Sequence, residues 1–127
     1  MTPESARASL DSMLSQYGEL CELQRIISGV TRKVALRAFI TDYRPAELTG
    51  GNGLQAGDSR AIISTTEINA AQWPSAAVIA STTAGDPRIP IKSDKLILSN
   101  GRVRIVQAAW PAPYVENELI RIEMAIR

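Results

Sequence analysis

Histidine is missing from this chain, cysteine occurs once, at Cys21, and aromatic residues make up only 5% of the sequence. The lack of histidine removes the commonest general base and the usual activator of serine or cysteine nucleophiles. Together with the single thiol, it also excludes a zinc site built from His and Cys. A lone cysteine forms no internal disulfide. Cys21 has no evident partner residue and reads as a small apolar filler. The aromatics are too few and too scattered for a run of stacking residues, so an oligonucleotide-binding platform has little support.

An excess of charge of one sign is also lacking. Fourteen basic residues face thirteen acidic ones, a formal charge of +1. That excludes a sequence-wide electrostatic footprint for nucleic acid or membrane and leaves only local patches. No apolar run approaches the roughly 18 residues that span a bilayer. The opening residues Met1 to Ser5 carry neither the basic start nor the apolar stretch of a secretory signal. A cytoplasmic origin and no membrane partner are therefore expected.

What is present is ordinary globular material: 127 residues, 45% apolar and 21% charged, enough for a single domain with one core. Residues 1–18 predict a helix. Thr2 suits the cap, Pro3 the first helical position, and Glu4 the positive end of the helix dipole. Ala6, Leu10, Met13, Leu14 and Tyr17 form an apolar stripe at helical spacing, and Gly18 ends it. The stripe suits either this domain's own core or a neighbouring subunit.

Beyond Gly18 the period changes to that of strands. Glu19 to Ile27 and Arg32 to Tyr43 predict two strands around a Ser28-Gly29 turn. In the second, Val34, Leu36, Ala38 and Ile40 alternate with Lys33, Arg37 and Thr41. Residues 45–58 hold four glycines and few apolar residues, which predicts a long loop of the kind that is often functional. Gly50-Gly51-Asn52-Gly53 is no phosphate cradle, because the P-loop lysine and the strand-then-helix frame are missing. Arg60 to Thr65 predicts a strand, Glu67 to Trp73 a helical turn, and residues 81–92 a second long loop.

The last third is the clearest. Asp94 to Leu98 and Arg102 to Ala109 flank Asn100-Gly101, the strongest short hairpin cue. Trp110-Pro111-Ala112-Pro113 breaks the pattern. Glu118 to Arg127 then alternates, with Ile120, Ile122, Met124 and Ile126 on one face and Arg121, Glu123 and Arg127 on the other. The sum is a mainly β protein: a small antiparallel barrel or sandwich with an N-terminal helix and two long loops.

Few residues suggest chemistry. Asp42, Glu47, Asp58, Glu67, Asp86 and Asp94 lie at loops and strand ends, and no spacing fixes two of them as an acid/base pair. Asp94, just before a strand, reads as a turn former rather than a metal ligand. Arg102, Arg104, Arg121 and Arg127 would line one outer face if the last strands are neighbours. That stripe is either a solvated face balanced by Glu116, Glu118 and Glu123, or a contact for DNA phosphates or an acidic subunit face. Trp73, Trp110 and Tyr114, near prolines and strand ends, suit either a barrel plug or an interface. Neither a catalytic centre nor a cofactor is expected.

Three stretches carry a family resemblance: Gly57-Asp58-Ser59-Arg60-Ala61-Ile62-Ile63 with Ile68 to Pro74, Ile91 to Val106 through the Asn100-Gly101 hairpin, and Trp110-Pro111 to Arg127. In order and pattern these residues resemble the small neck proteins of tailed bacteriophages, the head–tail joining, head-completion or stopper proteins. Arg104 stands where that family often has an aromatic residue. The resemblance covers roughly residues 15–127 and rests on pattern rather than on an invariant signature. It implies a non-enzymatic β-barrel that assembles into a homo-oligomeric ring of roughly six or twelve copies. Its partners would be portal and adaptor proteins above, a tail tube or tail terminator below, and packaged double-stranded DNA in the channel, all in the virion neck. The expected interaction residues are Gly50, Gly51, Asn52, Gly53, Leu54 and Gln55 in the first loop, Arg88 in the second, and Arg102, Arg104 and Arg121. A tail terminator, a minor tail protein and a free-standing oligonucleotide-binding barrel are the alternatives.

Overall fold

The computed structural model describes residues 2–27, 29–43, 57–74, 88–111, 114–116 and 118–127. Two helices and eight strands follow one another in these residues: α1 (Pro3–Tyr17), β1 (Glu19–Ile27), β2 (Val30–Asp42), β3 (Ser59–Ser64), α2 (Thr66–Ala71), β4 (Lys95–Ile97), β5 (Val103–Pro111), β6 (Tyr114–Val115), β7 (Glu118–Leu119) and β8 (Arg121–Ile126). Six strands close into an antiparallel barrel in the order β1-β2-β3-β8-β5-β4, and β6 and β7 form a separate small hairpin. Closure leaves the sheet no long exposed edge. Of the two expected architectures, the barrel is the one formed.

Period-two alternation builds the core. Leu23 on β1 lies opposite Leu96 on β4 and Val34 on β2. Ile63 pairs with Ala38 on one side and Ile122 on the other. These side chains are all buried, with Cys21, Leu36, Ala61, Val106, Met124 and Ile126 beside them. Burying each of the larger ones contributes about 1.5–3 kcal/mol. A bulge between Val106 and Ala108 inserts one residue in β5, so that Ala109 lies opposite Met124 and Trp110 opposite Glu123. The bulge keeps alternation in phase with β8 on both of its sides. β5 therefore continues through Trp110 and Pro111 instead of breaking at Trp110, and Pro111 lies opposite Ile122 near the strand's end.

The hairpin at Asn100-Gly101 forms as its sequence predicts. Gly101 takes φ +86°, the Arg102 amide donates to Asn100 Oδ1 at 2.9 Å, and the Leu98 amide donates to the Arg102 carbonyl at 2.9 Å. The strand around it is shorter than the expected Asp94–Leu98, because Asp94 and Leu98 are spent on turns. Expected strand Glu118–Arg127 divides into β7 and β8.

Helix α1 begins at Thr2 with a capping box shared with Ser5. Its seam with the barrel runs through Arg7, Asp11 and Leu14, one residue per turn. Arg7 donates to Thr65 Oγ1 at 3.1 Å and to the Leu119 carbonyl at 3.2 Å. Asp11 accepts from Thr66 Oγ1 at 2.7 Å, and Leu14 is buried. The barrel meets this face with hydroxyls and carbonyls as well as apolar side chains, and four members of the stripe lie on it, with Ala6, Leu10 and Met13 half-buried and Leu14 buried. Tyr17, expected in that stripe, is 69% exposed. The last turn has no basic residue of its own. Arg37 on β2 supplies the charge instead, donating to the Leu14 carbonyl at 2.9 Å and the Gly18 carbonyl at 2.6 Å, where the helix dipole favours a cation. Gly18 ends the helix in an extended rather than left-handed conformation; a Cβ there would lie 2.6 Å from the Leu14 carbonyl oxygen.

Candidate interaction surface

The two ends of the barrel are closed by different chemistry. Topology places the β1–β2 turn, α2, the start of β4 and the β6–β7 hairpin at one end. There β2 outruns β3, since their pairing begins only at Ala38–Ile63, and α2 with Trp73 fills the gap. Trp73 is 2% exposed and donates from Nε1 to the Arg32 carbonyl at 3.0 Å. Trp73 thus plugs the barrel, whereas Trp110 and Tyr114 stand outside it, exposed.

Arg104 closes the other end. Its Nη2 donates to the carbonyls of Gly57 (3.2 Å) and Ile126 (3.1 Å) and to Ser59 Oγ (3.1 Å). Burial, followed by the nearby Arg102 charge, lowers its pKa from the ordinary guanidinium value. Arg104 is thus an interior residue, and the expected outer basic stripe does not form. It lies opposite Leu96 and alternates inward with Val106. Of the other stripe members, Arg127 is held by buried Asp58 at 2.8 Å, and that hydrogen bond raises its pKa. Arg121 lies half-buried on β8 and has an interaction of its own, while Arg102 is exposed beside the hairpin turn. Arg88, expected to be an interaction residue, is tied to α2 through Asn69 Oδ1 at 2.6 Å. Gly50, Gly51, Asn52, Gly53, Leu54 and Gln55 lie outside the described residues, as do Glu47, Asp86 and the loop from 81 to 87.

The acidic residues are engaged in structure. Asp94 is 3% exposed, takes a bidentate contact from Arg25 (2.8 and 3.1 Å) and accepts the Ile91 amide at 2.9 Å. It is the turn former its sequence position suggests, with a buried ion pair in addition. Asp42 accepts from Ser59 Oγ at 2.9 Å. Asp11 and Glu67 face one cavity of about 300 Å³ beneath α1, a proximity their spacing of 56 residues does not announce. Burial, and then the charge of Asp11, raises the pKa of Glu67, while the Arg37 amide donated at 3.1 Å opposes that rise. Asp11 is bound by the Thr66 hydroxyl and Glu67 by the Arg37 amide of β2. Burial and Glu19 push the Cys21 thiol up to about 12. Among the described residues no group of three or more potential ligands gathers for a metal, and no helix is long and apolar enough to cross a membrane.

The outer surface is where apolar residues stay uncovered. Val103 and Ile105 point outward from β5, and Ile97 of β4 lies beside Val103. Leu20 and Ile26 point outward from β1. Two hairpins also project at the same end of the barrel from opposite sides of it. The β1–β2 hairpin carries exposed Ile26, Val30, Arg32 and Lys33. The β6–β7 hairpin carries exposed Tyr114, Glu116 and Glu118. Sequence reasoning missed both features. Val103 and Ile105 were legible as the alternates of Arg104 and Val106, but apolar residues on both faces of a strand leave the inward face undecided.

No family model, curated protein or solved structure matches this chain.

Proposed function

We propose that the chain is a structural, non-enzymatic subunit of a tailed-phage neck, one of the copies that form a ring closing the DNA-filled head and docking the tail. One observation carries this reading: the barrel interior is filled by its own side chains, while the outer faces of β1, β4 and β5 leave Leu20, Ile26, Ile97, Val103 and Ile105 at the surface. A barrel packed with its own side chains, with Ile97, Val103 and Ile105 side by side on its outer wall, suits a surface covered by other protein. The pattern of residues 57–74, 91–106 and 110–127 supplies the particular assembly. The ring would sit between portal and adaptor above and tail tube or terminator below, around packaged DNA.

A free-standing oligonucleotide-binding barrel would rely on Arg102, Arg104 and Arg121 as one outer patch, and the inward side chain of Arg104 favours the neck reading over it. The test is genetic. Removing this chain from the phage that encodes it yields separate heads and tails, with heads that lose their DNA. Normal yields of joined, infectious particles would refute the reading.

A further inference from the structure

The β1–β4 ladder ends at Gln24–Lys95, although β1 runs on to Ile27. Beyond that point β1 and residues 91–95 enclose a groove of about 680 Å³. Its apolar wall is Ile26, Ile27 and Ile91, Lys95 stands at its rim, and the Arg25–Asp94 pair lies at its base. Ile26 is 64% exposed and Ile91 56%, so no described residue fills the groove. Lys92 and Lys95 are exposed on the segment that forms its other wall, whereas Arg32 and Lys33 line the separate hollow beside Trp73, with Lys33 3.9 Å from Glu22.

The β6–β7 hairpin has the opposite character. Tyr114 is 52% exposed and Glu116 is exposed beside it, while Glu118 is paired with Arg7 of α1 at 3.5 Å. This hairpin rises between β5 and β8, whereas the groove opens between β1 and β4, so β4 and β5 stand between the two. One molecule cannot satisfy its own groove with its own hairpin, and no described residue occupies the groove.

The geometry points to the occupant of the groove being the β6–β7 hairpin of a second copy of this chain, with Tyr114 against Ile26, Ile27 and Ile91 and with Glu116 facing Lys92 and Lys95. An aromatic anchor in an apolar slot, rimmed by opposite charges, is the usual composition of an interface centre. The contact joins two different surfaces, so each copy accepts one hairpin and offers another, and repetition closes a ring or extends a chain. This assignment rests on the ring reading above and adds which surfaces meet.

Two variants of the full chain test it, Ile26→Asp in the groove and Tyr114→Asp in the hairpin, each checked for the wild-type circular dichroism spectrum. Where an aspartate variant fails that check, Ile26→Ser or Tyr114→Ser replaces it. Analytical ultracentrifugation is run over a range of concentrations. Wild-type chain forms higher oligomers, and each variant alone loses association by roughly thirtyfold or more, as loss of a central interface residue does. An equimolar mixture of the two forms dimers and stops there, because one intact groove meets one intact hairpin. Wild-type and variant chains that oligomerise alike would overturn the interface and leave the ring reading standing. Wild-type chain that stays monomeric at every concentration would overturn both.

Discussion

Replacing Asp94 by alanine probes the joint between the projecting β1–β2 hairpin and the barrel. The Asp94 carboxylate receives two donors from Arg25, and the two side chains are 3% and 10% exposed. Low exposure places the pair among buried ion pairs, for which removing one partner costs about 3–5 kcal/mol because the other charge stays desolvated. The Arg25 guanidinium, 4.6 Å from the centroid of Trp73, keeps its bond to the Ile89 carbonyl but loses its counter-charge. The Ile91 amide loses its acceptor as well. For a chain of this size, such a loss lowers the unfolding midpoint by roughly 10–20 °C. Thermal and urea unfolding, followed by circular dichroism, measure it. The double change Arg25→Leu with Asp94→Leu is expected to be milder than Asp94→Ala, since it strands no charge. An Asp94→Ala protein within about 1 kcal/mol of wild type, or a double variant as damaged as the single, would refute the reasoning.

Three further outcomes follow from single residues. Because the folded-state pKa of Glu67 lies above its ordinary 4.5, its charge costs stability that is absent below pH 4.5 and grows as pH rises through the folded value. Glu67→Gln removes that cost, so its unfolding midpoint gains on wild type at pH 7 and converges with it below pH 4.5; a difference independent of pH would contradict this. Gly18→Ala drives a Cβ to 2.6 Å from one backbone oxygen and 3.1 Å from another, and destabilises the chain by about 1–3 kcal/mol in urea titrations. With its thiol raised to about 12, Cys21 resists a disulfide reagent in the folded chain at pH 8 and reacts fast in denaturant; equal rates would refute its burial.

The elements legible in the sequence are those whose signal is local. Alternation through Ile122, Met124 and Ile126, and the Asn100-Gly101 turn, are properties of adjacent residues, and both appear as expected. Capping of α1 by Thr2 is local too. Long-range pairing was not legible. Arg25 and Asp94 are 69 residues apart, as are Asp58 and Arg127, and only closure of the barrel brings them together. Arg104 shows the commoner failure. A charged residue in an apolar strand is expected outside, yet the barrel's open end offers it two carbonyls and a hydroxyl, and the outward places pass to Val103 and Ile105. Tyr17 fails in the reverse sense: it is exposed at the helix's last position, while Ala6, Leu10, Met13 and Leu14 of the same stripe are covered.

An electron-microscopy map of the assembled neck tests the central claim most directly. Closed six-stranded barrels of this chain, repeating around the channel axis between portal and tail and each touching its neighbour through unlike surfaces, are the expected result. A neck without such barrels, or with this chain present as an isolated single copy, would contradict it.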